Sequence, residues 1–256
     1  MTNQLFHPYQ FAEMERQRMD LDGHLTYPSL LTQNVQVRLT EALAHIQSLE
    51  RVEGCEPNRF RRFAAEYNAF LESLITHPEM LKLVSHVLGK EVRYDHCATI
   101  NRSGGNEGCH WHSHGYAEDH PHLGFIRIFF YVNGFEANDG GLAVVPGSHL
   151  FRDTKMHAKS DAELESGWML GKQHPITKQP LKIEHLSVPT GTVILMWTHA
   201  AHGVSARRPD SNTRWTIVYA YRNPGKPSGA RWISQEYENQ KRTDPNSLLK
   251  DLIGLY

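Results

Sequence analysis

The sequence predicts a double-sheet β fold with a layer of helices on one face, and three observations lead to that prediction. Apolar residues recur at helical spacing through the first third of the 256 residues. From Val92 onward the chain changes to short segments rich in β-branched and aromatic residues. Glycine, proline, asparagine or aspartate separates these segments. Many short strands after an initial helical layer are typical of a mainly β domain of this kind.

Helices account for the pattern before Val92. The first helix is predicted to follow Thr32, which is placed to cap its start. Its apolar stripe is Val35, Leu39, Leu43 and Ile46. A second apolar stripe consists of Phe63, Tyr67, Phe70, Leu71 and Leu74. A further helix is predicted to begin at Pro78, a residue suited to a first helical turn, and to end at Gly89. These stripes are interpreted as packing faces.

Strands are predicted in the remaining two thirds of the chain. Their ranges are 92–100, 125–132, 142–145, 181–188, 192–197 and 215–221. The residues at 104–105, 139–141 and 189–191 are good turn signals. The segment 151–179 is polar and irregular, which indicates either a lid or binding loop or a plain surface excursion.

Composition excludes several classes of protein. The formal net charge is −1, so no basic surface for nucleic acid or an anionic membrane is expected. The longest strongly apolar run, 193–197, is far too short to span a bilayer, and the first residues lack the pattern of a signal peptide. The three cysteines, Cys55, Cys97 and Cys109, are an odd number, which favours free thiols and a cytoplasmic location. A single domain over 1–256 is expected.

Histidine is the residue type that suggests chemistry, with 17 in the chain. Residues two apart on a strand point to the same face, so His112 and His114 can aim at one metal ion. A third ligand is expected from the turn after the predicted strand 192–197, where His199 and His202 lie. Arg214 follows His202 by twelve residues at the start of another strand. An arginine in an apolar interior needs an anion, which can be a bound carboxylate or an internal Asp or Glu.

The order of these motifs resembles that of the phytanoyl-CoA dioxygenase family. The sequence has Trp-His-Ser-His at 111–114, Gly-Leu-Ala-Val-Val-Pro-Gly-Ser-His at 141–149, a glycine at 191 followed by His202, and then Arg214. The resemblance runs from about residue 21 to residue 222. It implies a jelly roll, or double-stranded β-helix, with a helical layer over about 1–90, the core over about 91–222 and an extension over 223–256.

The resemblance also implies chemistry. Members of the family bind iron(II) through two histidines and a carboxylate, and they use 2-oxoglutarate and molecular oxygen to oxidise, typically to hydroxylate, a small organic substrate with release of succinate and carbon dioxide. Carried over by position, His112 and His202 are metal ligands. Arg214 is expected to bind the distal carboxylate of 2-oxoglutarate, and Asn101 to contact the cosubstrate.

The sequence departs from the family at position 114, where histidine replaces the usual carboxylate. Three readings follow: an oxygenase with His112, His114 and His202 as ligands, an oxygenase whose carboxylate is Glu118 or Asp119, or a member that binds without oxidising. The run 112–118 also fits a cupin, a metal enzyme that does not use 2-oxoglutarate, but a cupin gives no reason for Arg214.

Four further residues are candidates for contact with the substrate. Arg127 lies in the middle of an apolar strand, where it either reaches solvent or meets an anionic ligand. Trp111 and Tyr116 flank the histidine motif, and His149 closes the Pro-Gly-Ser-His turn.

Overall fold

Two antiparallel sheets form the centre of the molecule in the computed structural model, which describes residues 4–52, 56, 58–114, 124–153, 156–225 and 231–254. The larger sheet has the order β1-β8-β4-β10-β2 and the smaller one the order β6-β3-β9-β5-β7. The strands of the larger sheet are β1 His24–Tyr27, β2 Arg93–Thr99, β4 Phe125–Tyr131, β8 Thr192–Trp197 and β10 Thr216–Arg222. Those of the smaller sheet are β3 Cys109–His112, β5 Leu142–Val144, β6 His157–Ala158, β7 Glu184–His185 and β9 His202–Val204. This is the predicted double-sheet arrangement.

Helices cover the outer face of the larger sheet. The N-terminal helices are α1 Glu13–Asp22, α2 Gln33–Leu49, α3 Arg59–Arg62, α4 Ala69–Ile75 and α5 Pro78–Leu88. Later in the chain, α7 Gln235–Thr243 and α8 Lys250–Ile253 join this layer, whereas α6 Asp161–Ser166 packs on the smaller sheet. The apolar stripe predicted for α2 is buried in full. Its buried leucines each contribute about 1.5–3 kcal/mol relative to an exposed position. No helix within the described ranges combines the length and apolarity that crossing a membrane requires.

Two local details differ from the sequence prediction. Thr32 lies at the start of α2, but its hydroxyl donates to the carbonyl of Gln4 instead of capping the helix. The second apolar stripe does not form one helix, because Phe63 follows α3, Tyr67 ends a 3-10 turn and the other three residues lie in α4. Asn68 separates the turn from α4, since its backbone is extended and its side chain accepts hydrogen bonds from the backbone N–H groups of Phe70 and Leu71. A side-chain oxygen in this position starts a new helix.

Alternation along the strands separates three apolar clusters. Ile126, Ile128 and Phe130 of β4 face the helices. Phe129 of β4, Ile194 of β8 and Val218 of β10 face the smaller sheet and form the interior cluster between the two sheets. A third cluster, which contains Trp111, covers the outer face of the smaller sheet. The interior between the sheets is therefore the space into which inward-pointing polar side chains project.

Candidate metal and cosubstrate site

Three histidines meet at one end of the interior. His112 ends β3 and His202 begins β9, and the register of the two strands pairs these residues directly. His114 follows two residues after His112, and its backbone N–H donates to the carbonyl of Thr198. One potential ligand atom from each of the three residues lies within 4.8 Å of the other two. A search of the described residues for three or more His, Cys, Asp or Glu side chains close enough together to hold a metal ion finds these three histidines.

Backbone carbonyls fix the tautomers of two of these histidines. Nδ1 of His112 lies 2.8 Å from the carbonyl oxygen of His110, and Nδ1 of His202 lies 2.9 Å from that of Ala200. A carbonyl oxygen accepts only, so Nδ1 carries the proton in both rings. The Nε2 lone pair of each ring is then free to bind a metal, the arrangement usual for histidine ligands.

All three imidazoles are held neutral. Burial lowers the pKa of His112, and burial together with the nearby positive charge of Arg127 lowers the pKa of His114 well below its usual range. The pKa of His202 is also well below its usual range, first because of burial and then because of His112. Neutral imidazole is the form that binds a metal ion.

Arg127 contacts His114 directly. Its guanidinium donates to Nε2 of His114 over 2.7 Å. Arg127 is 7% exposed and shares the inward face of β4 with Phe129. The sequence left open which face of this strand is interior, and the structure places Arg127 inside, beside the histidines. In this arrangement the Nε2 lone pair of His114 is used by Arg127.

Arg214 is a buried cation. It is 1% exposed, and none of its three guanidinium nitrogens has a hydrogen-bond partner in the described part of the chain. Its guanidinium carbon lies 5.5 Å from the ring centre of Tyr131 and 5.8 Å from that of Phe135. Burial lowers the pKa of Arg214 to about 10, so it remains charged at neutral pH.

Among the residues that the structure describes, no internal salt bridge accounts for Arg214. Asp139 accepts hydrogen bonds from the side chain of Ser211 and the backbone N–H of Arg208, and it pairs with Arg207 over 3.0 Å. A buried guanidinium without such a partner is costly unless a ligand supplies the anion. Of the two possibilities that the sequence left open, the geometry favours a bound carboxylate.

Asn101 is engaged with the backbone. Its side-chain oxygen accepts a hydrogen bond of 3.1 Å from the N–H of Thr216, at the start of β10. The adjacent residue, Arg102, pairs its backbone with that of Arg214. The hydrogen bond of Asn101 therefore fixes the backbone next to Arg214.

The other sequence candidates lie apart from the histidines or outside the described residues. Trp111 points to the opposite face of β3 from His112, where its indole N–H donates to Asp161 over 2.8 Å. His149 is buried, with Nε2 3.0 Å from the carbonyl oxygen of Asp20 at the end of α1. The three remaining candidates, Tyr116, Glu118 and Asp119, lie outside the described residues.

Three residues near the site were not singled out from the sequence. Arg222 projects from the same face of β10 as Val218, and the alternation of this strand is a signal that could have found it. His96 lies on β2 and contributes to the low pKa of His114. Trp232 packs on His96 from the C-terminal segment, a contact with no counterpart in local sequence pattern.

The donor set fits a divalent transition metal, and the charge fits an anionic cosubstrate. Three neutral imidazole nitrogens are good ligands for iron and for its neighbours in the series. Arg214 presents a planar fork that suits a carboxylate. The three histidines are therefore a candidate metal site, and Arg214 is a candidate carboxylate-binding group.

Comparison with known proteins identifies the family. The model of the family described as "Phytanoyl-CoA dioxygenase (PhyH)" matches residues 19–214, more than half of the chain. The chain therefore belongs to the phytanoyl-CoA dioxygenase family of iron(II)- and 2-oxoglutarate-dependent oxygenases. The resemblance to this family that the sequence suggested is confirmed, and the cupin alternative is set aside.

Individual relatives are distant. A "Probable alpha-ketoglutarate-dependent hypophosphite dioxygenase" from Stutzerimonas stutzeri is 22% identical over 81% of this chain and 77% of its own length. Among solved structures, the non-heme alpha ketoglutarate dependent carbocyclase SnoK from nogalamycin biosynthesis is 16% identical, with a TM-score of 0.64 over 90% of each chain. EvdMO1 is 20% identical, with a TM-score of 0.61, and the match spans 83% of this chain and 50% of the EvdMO1 chain. The structural likenesses confirm the jelly-roll fold.

Proposed function

We propose that His112, His114 and His202 hold one ferrous ion, that Arg214 binds the distal carboxylate of 2-oxoglutarate, and that the site hydroxylates a small organic substrate. The observation that carries the proposal is the pairing of a neutral three-histidine cluster with a buried arginine that has no described partner. A metal site alone needs no such arginine. A dicarboxylate cosubstrate needs both a metal and a cation at its far end.

Each protein group has a separate task in this proposal. The carbonyls of His110 and Ala200 keep the rings of His112 and His202 oriented, so that little reorganisation is needed when the metal binds. Arg214 orients the cosubstrate. The apolar walls formed by Phe129 and Tyr131 exclude water from the site.

The chemistry comes from the bound groups. When bound, ferrous iron and 2-oxoglutarate supply the oxidation, in which one oxygen atom of dioxygen enters succinate as carbon dioxide is released and the other enters the substrate. The protein supplies binding, orientation and a dry interior. Replacement of the usual carboxylate ligand by His114 leaves the site one negative charge short of the family pattern.

Metal analysis and product detection together test the proposal. Protein purified without added metal should contain up to one iron per chain, and with iron(II), ascorbate and 2-oxoglutarate it should form succinate. His202→Ala should lose both metal and succinate, whereas His45→Ala, on the exposed face of α2, should keep both. The non-oxidative alternative would be favoured if the wild-type protein held iron and bound 2-oxoglutarate through Arg214 but formed no succinate with any substrate tried.

A cytoplasmic location and the absence of nucleic-acid and membrane partners stay predictions from composition. Molecular oxygen and a small-molecule substrate are the partners that the family implies.

A further inference from the structure

A buried ion pair lies next to Arg214, the buried cation of the candidate site. Its members are Arg207, which is 8% exposed, and Asp139, which is 6% exposed. Nη1 of Arg207 lies 3.0 Å from Oδ2 of Asp139. The same guanidinium also donates hydrogen bonds to the backbone carbonyl oxygens of Asp139 and Asn212. Arg207 is therefore held in place by the backbone as well as by the carboxylate.

Gly140 is the residue at which this ion pair and Arg214 come together. A Cβ atom at Gly140 would lie 2.4 Å from Cδ of Arg207 and 3.1 Å from Nη1 of Arg214, so both arginines approach the same point of the turn. The N–H of Gly140 donates to the carbonyl oxygen of Ala206 over 3.0 Å, which ties the turn to the residue before Arg207. Asp139 precedes Gly140 directly. Its carboxylate is therefore carried by the residue next to the point that Arg214 approaches.

Two guanidinium groups share this one carboxylate, and the carboxylate pairs with that of Arg207. Burial raises the pKa of Asp139. Hydrogen bonds from Ser211 and from the backbone of Arg208, together with the charge of Arg207, outweigh burial and hold that pKa below its usual value. Asp139 is therefore ionised at neutral pH. Its charge also reaches Arg214, where it opposes the lowering of the arginine pKa by burial.

The choice of partner by Asp139 decides whether Arg214 is available to a ligand. An unpaired carboxylate in a buried place is costly, so it pairs with a cation within reach. Without Arg207, the buried guanidinium that remains beside Gly140 is that of Arg214. Arg208 also lies 3.5 Å from Asp139, but it is exposed, so water screens this contact. A pair between Asp139 and Arg214 would occupy the planar fork that a carboxylate ligand needs.

We infer that Arg207 is a positioning residue for cosubstrate binding, because it holds Asp139 away from Arg214 and so keeps the guanidinium of Arg214 available to a dicarboxylate. The inference rests on the proposed function, in which Arg214 binds the distal carboxylate of 2-oxoglutarate. It adds a residue that acts through Arg214, and it explains why a buried carboxylate so close to Arg214 leaves that arginine without a salt bridge.

A double-mutant cycle tests the inference. Wild type, Arg207→Met, Asp139→Asn and the double variant are each saturated with manganese(II), and 2-oxoglutarate is titrated in by calorimetry. We expect Arg207→Met to weaken 2-oxoglutarate binding by about tenfold or more, because the freed carboxylate of Asp139 then pairs with Arg214. In the Asp139→Asn background the same substitution should cost at most about threefold, since no carboxylate is left to pair with Arg214.

The cycle separates this pairing from a simple charge effect. If Arg207 acts only through the attraction of its charge for the cosubstrate, its loss has the same effect in both backgrounds. Arg207→Lys still gives Asp139 a cation, so it should bind 2-oxoglutarate within about threefold of wild type. If Arg207→Met does not fold, Arg207→Gln takes its place in the cycle, because it keeps a hydrogen-bond donor for the backbone and lacks the charge. It should depend on Asp139 in the same way.

A matched control removes an arginine from an ion pair elsewhere. Arg61 pairs with Glu50 over 3.5 Å in the helical layer, and Arg61→Met should leave 2-oxoglutarate affinity unchanged.

The outcomes distinguish this inference from the proposed function. A wild-type manganese complex that does not bind 2-oxoglutarate contradicts the proposed function, and the inference falls with it. Normal binding by wild type, with no loss in Arg207→Met or with equal losses in the two backgrounds, overturns the role of Arg207 alone. A loss confined to proteins that retain Asp139 supports the inference.

Discussion

The guanidinium of Arg127 donates a hydrogen bond to Nε2 of His114 over 2.7 Å, so a cation lies against the residue that replaces the family's carboxylate ligand. The lone pair that a metal ion needs and the one that Arg127 uses belong to the same ring. Binding of a metal through Nε2 of His114 therefore requires Arg127 to move away from it. This competition gives the first prediction.

Removal of the Arg127 charge should tighten metal binding. Arg127→Met frees Nε2 of His114 and removes a repulsive charge near a divalent ion, so we expect affinity for manganese(II) to rise by about tenfold, or about 1.4 kcal/mol. Isothermal titration without 2-oxoglutarate measures this. Arg208→Met, at an exposed position, is the control. Weaker metal binding in Arg127→Met would mean that Arg127 positions the histidines instead of competing for one of them.

Loss of Arg214 should weaken 2-oxoglutarate binding without affecting the metal. Arg214→Ala removes one partner of a buried charge pair, which typically costs about 2–5 kcal/mol. Arg214→Lys should recover part of the affinity, because it restores the charge but not the planar fork. Titration of 2-oxoglutarate into the manganese complex tests this. Equal affinity in wild type and Arg214→Ala would remove Arg214 from the cosubstrate site.

Substitution of His114 discriminates between the two possible ligand sets. If His114 is a ligand, His114→Ala should lower metal affinity, whereas His114→Asp should keep the metal and raise uncoupled 2-oxoglutarate turnover. If a carboxylate from the segment after His114 is the ligand, Glu118→Gln or Asp119→Asn should reduce metal affinity more than His114→Ala does. Metal titration of the four variants side by side decides between the two sets.

His149 should make the fold sensitive to acid. Burial lowers the pKa of His149 to about 4, while in the unfolded chain it takes up a proton near pH 6.5. Between pH 6.5 and pH 4 the unfolded state therefore binds more protons than the folded state. The free energy of unfolding falls as the pH drops through this range, by up to about 3 kcal/mol.

Urea unfolding of the metal-free protein between pH 4.5 and 7 measures this slope. His149→Asn should lose less stability over the range than wild type, whatever its stability at neutral pH. His45→Asn, at an exposed position, should keep the wild-type slope. A His149→Asn protein with the full wild-type slope would show that His149 is not buried in its neutral form.

Much of the site was readable from the sequence because its spacing is local. The two-residue interval places His112 and His114 together on one side, and the same alternation sends Trp111 to the other side of β3. His202 lies beside them because β9 pairs with β3. This pairing joins distant parts of the chain, and only the resemblance to the family's motif order predicted that His202 is a ligand. The jelly roll was predicted in the same way.

The remaining features depend on contacts that no local pattern encodes. Whether Arg127 faces inward depends on which face of β4 the helices cover and which face the smaller sheet covers. The contact between Trp232 and His96 joins segments 136 positions apart in the chain. The strand β1 was not predicted either, because its four residues are too few to show a clear alternation and become a strand by pairing with β8.

The most direct test of the central claim is an anaerobic titration of the wild-type protein with iron(II) and 2-oxoglutarate, followed by visible absorption. We expect a weak charge-transfer band when both are bound, because 2-oxoglutarate then binds the iron held by the three histidines. Arg214→Ala should need a much higher 2-oxoglutarate concentration to produce the same band. If wild-type protein that demonstrably holds both iron(II) and 2-oxoglutarate shows no band, the cosubstrate is not on the metal and the proposed oxygenase site is contradicted.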